Sequence, residues 1–172
     1  MSLRRCEALK VSDGVVASYI HNAAAPGLGR IGVLVALESK GPKDKLEALA
    51  KNLAMHVAAA TPVAVNRESV DSSLLQRERD ILADQARASG KAEDIIAKMV
   101  EGRLRKFYED SVLLEQIFVV DGETKVSKVI EAAAKETGSP IAVKGFLRFA
   151  LGEGIERKQT DFAAEVASQL QK

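Results

Sequence analysis

Two stretches near the beginning of the chain have the hydrophobic pattern of paired strands. VVASYIH (15–21) is rich in β-branched and aromatic residues, which favours a strand. RIGVLVALES (30–39) is apolar at successive positions, as is typical of a strand covered on both faces. NAAAPGLG (22–29) separates them and has the proline and glycines of a loop. We predict a β-hairpin with a central second strand, and His21 at the end of the first strand.

Four further segments complete a small domain. Residues 43–60 carry an apolar stripe at helical spacing, and Thr61–Pro62 ends the predicted helix. LLEQIFVVD (113–121) has strand composition, 126–135 has a helical stripe, and VKGFLRFAL (143–151) alternates like a strand. These elements predict an α+β fold: a small antiparallel sheet of three to four strands with helices on one face.

Between these elements the chain becomes highly charged and helix-favouring. Residues 71–110 predict two helices of about 17 residues joined by a short SGK turn, an antiparallel hairpin of roughly 25 Å. The predicted coiled-coil seam consists of four apolar residues, Leu74, Ile81, Ile96 and Val100. We predict a helical hairpin inserted between 4–70 and 111–156, which together form the body.

A last helix is predicted near the end of the chain, within a C-terminal module at 157–172. Thr160 suits an N-cap, and Asp161 suits the positive end of a helix. Phe162, Val166 and Leu170 recur every four residues and form an apolar stripe. This pattern favours a docking helix over a probing aromatic finger.

Composition narrows the function classes. The 25 basic and 24 acidic residues give a net charge of +1, which argues against strong phosphate-driven binding of nucleic acid. One cysteine, Cys6, permits no internal disulfide and fits a reducing compartment. No apolar run approaches the roughly 20 residues of a membrane span. We therefore expect a soluble, cytoplasmic protein that does not bind membranes.

No motif predicts catalysis. His21 and His56 belong to no HxxxH or HExxH arrangement, and PGLGR (26–30) lacks the lysine of a phosphate loop. A packing role is favoured for His56, and a structural role is favoured for His21 on spacing alone. We expect no catalytic residue, metal site or cofactor, and interpret the chain as an interaction domain rather than an enzyme.

Several segments in order resemble the translation elongation factor Ts family. They run over nearly the whole chain: GVVASYIH, GRIGVLVALES, NLAMHVAAATP, KMVEGRLRKFYED, GFLRFALGEGIE and TDFAAEVA. The resemblance implies guanine-nucleotide exchange on elongation factor Tu by protein contact, without chemical transformation. It implies contacts with elongation factor Tu at His21, at Phe118 and Val119 within IFVV (117–120), and along the last helix at Phe162, Val166 and Leu170. Gln169 stands where the family often has an apolar residue.

The resemblance also implies an absence. The chain corresponds to the second half of the family's core, and the TDFV-type loop of the first half is missing from it. The TDF at 160–162 belongs instead to the C-terminal module. We therefore expect binding to elongation factor Tu with little stimulation of GDP release, and homodimerisation through the sheet.

Two other functions stay open at this point. One is a coiled-coil adaptor that binds a helical protein through the predicted seam. The other is an RNA- or ribosome-associated module that uses the basic cluster Arg103, Arg105 and Lys106; acidic residues flank this cluster on both sides.

Overall fold

The sheet is built on the β-hairpin at the beginning of the chain. The structure, a computed structural model, describes residues 5–88, 90 and 92–154. In this part of the chain the strands are β1 (Gly14–Ala25), β2 (Leu28–Glu38) and β3 (Ala142–Ala150), and the helices are α1 (Lys43–Ala60), α2 (Ser72–Arg87), α3 (Glu93–Ser111) and α4 (Val126–Thr137), with a 3-10 turn at Arg67–Ser69. The predicted α+β fold is confirmed, with three strands in the described sheet.

Strand β2 lies between β1 and β3, and both pairings are antiparallel. Val33, Val35 and Leu37 alternate along β2 and are buried on the face that α1 covers. Residues Leu9 and Arg5 lie against the opposite face, near Gly145 and over the ring of Phe149, respectively. This double coverage explains why β2 is apolar at successive positions.

Helix α1 supplies the other half of the core. Its residues Leu46, Leu53 and Val57 are at most 1% exposed, and they pack against the sheet. Val126 and Ile130 of α4 join the same core, and Lys45 of α1 pairs with Glu136 of α4 at 2.7 Å. Burial of the apolar side chains of this core is the main source of stability, at roughly 1.5–3 kcal/mol each.

Helices α2 and α3 form the predicted hairpin. Asp71 caps α2, since its carboxylate accepts the N–H groups of Ser73 and Leu74. At the root, a small cluster of Ala64, Val70 and Val112 is buried with Leu75, Phe107 and Tyr108 packed against it. The Arg67 guanidinium makes a bidentate ion pair with Glu115 and lies 4.8 Å from the ring centre of Tyr108. These contacts anchor the hairpin to the body.

The predicted seam residues are unequally buried. Ile96 is 6% exposed, whereas Ile81 is 46% exposed. Leu74 and Val100 lie between these extremes. On the α2 side, the small residue Ala86 is fully buried. The most buried residues of the two helices therefore lie near the turn of the hairpin, and Ile81 contributes little to the seam.

Two element predictions were wrong. Residues 22–25 were predicted as a loop, but they continue β1, so His21 lies inside the strand. Residues 113–121 were predicted as a strand, but they form consecutive turns with one isolated bridge, at Ile117. Their β-branched and aromatic side chains enter the core without joining the sheet, since Leu113 and Phe118 are buried.

Candidate protein-binding surface

The segment after α3 forms a closed loop from Gln116 to Val126. The N–H of Phe118 donates to the carbonyl of Thr124 at 2.7 Å, and the N–H of Val126 donates to that of Gln116 at 3.0 Å. Asp121 closes the tip, because its carboxylate accepts the N–H groups of Glu123 and Thr124. These hydrogen bonds lower the pKa of Asp121. The loop is thus held in one shape by its own backbone.

This loop exposes apolar side chains. Phe118 is 5% exposed and packs in the core, whereas its neighbours Ile117 and Val119 are each 46% exposed and Val120 is 53% exposed. We call these three exposed side chains the apolar loop surface. Exposed apolar side chains close together on a hydrogen-bonded loop are typical of protein-binding sites. Of the two residues predicted as contacts here, Val119 is open to a partner and Phe118 supports the loop from beneath.

His21 lies beside this surface. A cavity of about 250 Å³ is lined by His21 and Tyr19 of β1, Met55 of α1 and Val119 of the loop, together with Ile31, Ala58 and Ala59. The Tyr19 hydroxyl lies 3.2 Å from His21 Nδ1. The structure therefore brings together two residues, far apart in the chain, that the family resemblance assigned to the same predicted interface.

The strand that carries His21 is packed closely against β2. An added Cβ at Gly29 would lie 2.8 Å from the His21 carbonyl oxygen and would also meet the side chain of Ile20. The next residue, Asn22, has a φ of 52°, in the left-handed region. Gly29 therefore permits the close strand contact behind His21, a requirement that the sequence pattern did not reveal.

A buried polar network lies directly under the apolar loop surface. His56 of α1 is fully buried; its Nδ1 accepts the N–H of Val119 at 3.2 Å, and its Nε2 is 2.9 Å from Gln116 Oε1. The Gln116 amide nitrogen donates to the carbonyls of Ala60 and Asp110. Burial lowers the pKa of His56, and the hydrogen bond to Gln116 opposes this effect. His56 therefore packs as expected, but it also holds the loop, which spacing did not indicate.

The other predicted sites lie elsewhere. Phe162, Val166 and Leu170 fall outside the described residues, as does the predicted C-terminal module. In the basic cluster, Arg103 donates to Gln85 and Lys106 pairs with Asp110 at 2.8 Å. No group of side chains suited to a metal ion occurs in residues 5–88, 90 and 92–154. Among the helices of this described part of the chain, none has the length and hydropathy of a membrane span.

The fold and this surface define a class: an α+β domain with an inserted helical hairpin and a rigid, exposed apolar loop beside a histidine. A model of the family described as Elongation factor TS matches residues 1–153 of the chain. The chain therefore belongs to the elongation factor Ts family.

Individual relatives agree with this assignment. Elongation factor Ts of Rhodospirillum centenum is 61% identical over 168 residues, which cover 98% of this chain and 55% of that protein. The Rhodospirillum rubrum protein of the same name is 60% identical over 172 residues, covering 100% and 56%. That of Zymomonas mobilis subsp. mobilis is 58% identical over 167 residues, covering 97% and 54%. The chain spans about half the length of the curated relatives it matches.

Proposed function

We propose that this chain is a module of a guanine-nucleotide exchange factor that binds elongation factor Tu through the apolar loop surface and the adjoining His21. The observation that carries the proposal is the exposure of Ile117, Val119 and Val120 on a hydrogen-bonded loop, next to His21, in a member of this family. A rigid apolar surface loses little conformational entropy when it binds, which favours affinity.

The proposed activity requires binding energy rather than acid–base chemistry. An exchange factor accelerates GDP release when it binds the nucleotide-free partner more tightly than the GDP-bound partner. By linkage, GDP then weakens binding of the exchange factor by the same factor. The 172 residues contain one TDF sequence, at 160–162, and we expect them alone to bind elongation factor Tu while stimulating GDP release weakly.

Paired substitutions in the full chain test the proposed surface. Val119→Asp places a charge at the centre of the apolar loop surface, and we expect it to weaken binding to purified, nucleotide-free elongation factor Tu by about tenfold or more, as at an interface anchor. Ile81→Asp is the matched control, because Ile81 is equally exposed (46%) but lies on α2. Isothermal titration calorimetry measures both affinities.

The same pair of variants distinguishes the alternative functions. A coiled-coil adaptor would lose its partner with Ile81→Asp and keep it with Val119→Asp, the reverse of our expectation. An RNA-binding module would bind RNA with an affinity that falls steeply as salt is added, and neither substitution would alter that dependence. Full stimulation of fluorescent GDP release by the chain alone would contradict the weak activity that we expect.

A further inference from the structure

The buried side chains of His56 and Gln116 make more hydrogen bonds than packing in the core requires. The Gln116 amide nitrogen donates to two carbonyls, of Ala60 at the end of α1 and of Asp110 in the last turn of α3. Its oxygen must therefore face His56, and it accepts a hydrogen bond from the Nε2–H group of that ring. The amide group thus has its donors and its acceptor in use, and its orientation is determined by the surrounding backbone.

This orientation determines the tautomer of His56. Because Nε2 carries the proton, Nδ1 has a free lone pair, and that lone pair accepts the N–H of Val119. A backbone N–H can only donate, so no other tautomer of a neutral ring satisfies both neighbours. The ring of Phe118 lies 5.8 Å from the ring of His56, centre to centre, and all three side chains are buried. The backbone of Val119, whose side chain is exposed, is therefore held from inside the core.

We propose that His56 is a positioning residue for partner binding: through its Nδ1 atom it fixes the backbone of Val119, and Gln116 fixes the ring in the required tautomer. His56 does not touch the partner. Without this hydrogen bond, the Val119 N–H would be left unsatisfied beneath the surface, and the exposed side chains on either side would lose their fixed relative position. The binding part of this inference rests on the proposed function; the positional part does not.

Two isosteric substitutions separate positioning from packing. The oxygen of asparagine occupies roughly the place of His Nδ1, so His56→Asn keeps an acceptor for the Val119 N–H. The amide of glutamine reaches roughly the place of Nε2, so His56→Gln keeps the contact with Gln116 and loses the contact with Val119. Both variants remove the ring from the core and are expected to lower the urea midpoint of unfolding. Loss of one such hydrogen bond corresponds to about tenfold in an equilibrium constant.

In the free chain, the test is the exchange of the Val119 amide with deuterated solvent, measured by NMR. We expect exchange to be about tenfold faster in His56→Gln than in His56→Asn after correction for global stability. In the unsubstituted chain, a scalar coupling between the Val119 amide nitrogen and His56 Nδ1 is expected across the hydrogen bond. Equal exchange rates in the two variants, or absence of the coupling, would overturn the positional part.

With nucleotide-free elongation factor Tu as the probe, His56→Gln should weaken binding by about tenfold, and His56→Asn by less than threefold. Equal weakening by both variants would mean that His56 acts through packing alone and would overturn the inference. If the unsubstituted chain fails to bind elongation factor Tu, the proposed function fails, and the amide exchange measurement still decides whether His56 positions the loop. The two failures are therefore distinguishable.

Discussion

At the scale of single residues, His56 affects both the position of the loop and the pH dependence of stability. It is fully buried, and both of its ring nitrogens lie within hydrogen-bond distance of a partner. A protonated ring would present an N–H at Nδ1 to the N–H of Val119, and the two donors would repel each other. Both burial and this geometry therefore favour the neutral ring in the folded chain.

The lowered pKa of His56 predicts a pH dependence of stability. In the unfolded chain this histidine titrates near its ordinary pKa of 6.5, and in the folded chain it titrates lower. Between these two values the unfolded chain binds more protons than the folded chain, so the free energy of unfolding falls as pH is lowered below about 6.5. Urea unfolding at pH 7.5 and at pH 5 measures the loss.

Substitution of each histidine provides the control for this prediction. His56→Asn removes the titrating group, and the loss of stability over this pH range should become smaller. His21→Gln removes the exposed histidine instead and should retain the loss, because His56 is still present. An equal pH dependence in His56→Asn and in the unsubstituted chain would show that other groups cause it.

Gly29 gives a second prediction at this scale. Gly29→Ala would force β1 and β2 apart behind His21, and we expect it to lower the free energy of unfolding by about 1–3 kcal/mol, as overpacking does. Gly32→Ala on the same strand is the matched control, because a Cβ there meets nothing within 4 Å. Thermal unfolding of the two variants makes the comparison. A loss of stability in Gly32→Ala as large as in Gly29→Ala would argue against close packing as the cause.

At the scale of elements, we propose that the helical hairpin, predicted at 71–110, is a unit distinct from the body at 4–70 and 111–156. Its side chains pack between α2 and α3 and at the root, whereas the main core consists of the sheet, α1, α4 and the loop segment. Of the predicted seam, Ile96 is buried and Ile81 is largely exposed. The hairpin is therefore held together by a short contact region, and single substitutions there should have unequal effects.

The two isoleucines test the position of the seam. Ile96→Ala should lower the stability of the hairpin by about 2–4 kcal/mol, because it leaves a cavity between the helices. Ile81→Ala should lower the stability of the hairpin by well under half as much, because the Ile81 side chain is already about half exposed to solvent. Hydrogen exchange of the α2 and α3 amides reports this local stability. Similar effects of the two substitutions would show that the seam extends evenly along the hairpin.

Particular elements show how far the sequence predicts this fold. Helix α1 was predicted with its observed bounds because its apolar stripe is regular and Thr61–Pro62 ends it. Residues 113–121 were wrongly predicted as a strand, since β-branched and aromatic content reflects burial as well as pairing. Residues 22–25 were not predicted as a strand, because their side chains are small and exposed and show no alternation of apolar and polar positions.

The candidate site was predicted only in part. The resemblance to the elongation factor Ts family supplied His21 and Val119, and the structure places both at one cavity. The hydrogen bond between His56 and Val119 joins residues 63 positions apart. Such a bond depends on how α1 packs beneath the loop, which no local pattern contains. The contacts predicted at Phe162, Val166 and Leu170, and homodimerisation through the sheet, stay predictions.

At the scale of the whole molecule, we propose that partner binding occurs on one side of the body. Val119 of the loop, Tyr19 and His21 of β1, and Met55 of α1 line one cavity there. The hairpin leaves the body at Val70 and returns at Val112, so its exposed residues form a separate surface. We propose that elongation factor Tu covers the first of these surfaces and leaves the second free.

Hydrogen–deuterium exchange mass spectrometry of the chain with and without nucleotide-free elongation factor Tu tests this claim most directly. We predict slower exchange on binding in peptides that cover 19–22 and 116–122, and unchanged exchange in peptides from the middle of α2 and α3. Addition of excess GDP should reverse the protection, because GDP and the exchange factor weaken each other's binding. Protection confined to 72–111, with unchanged exchange at 116–122, would contradict the account.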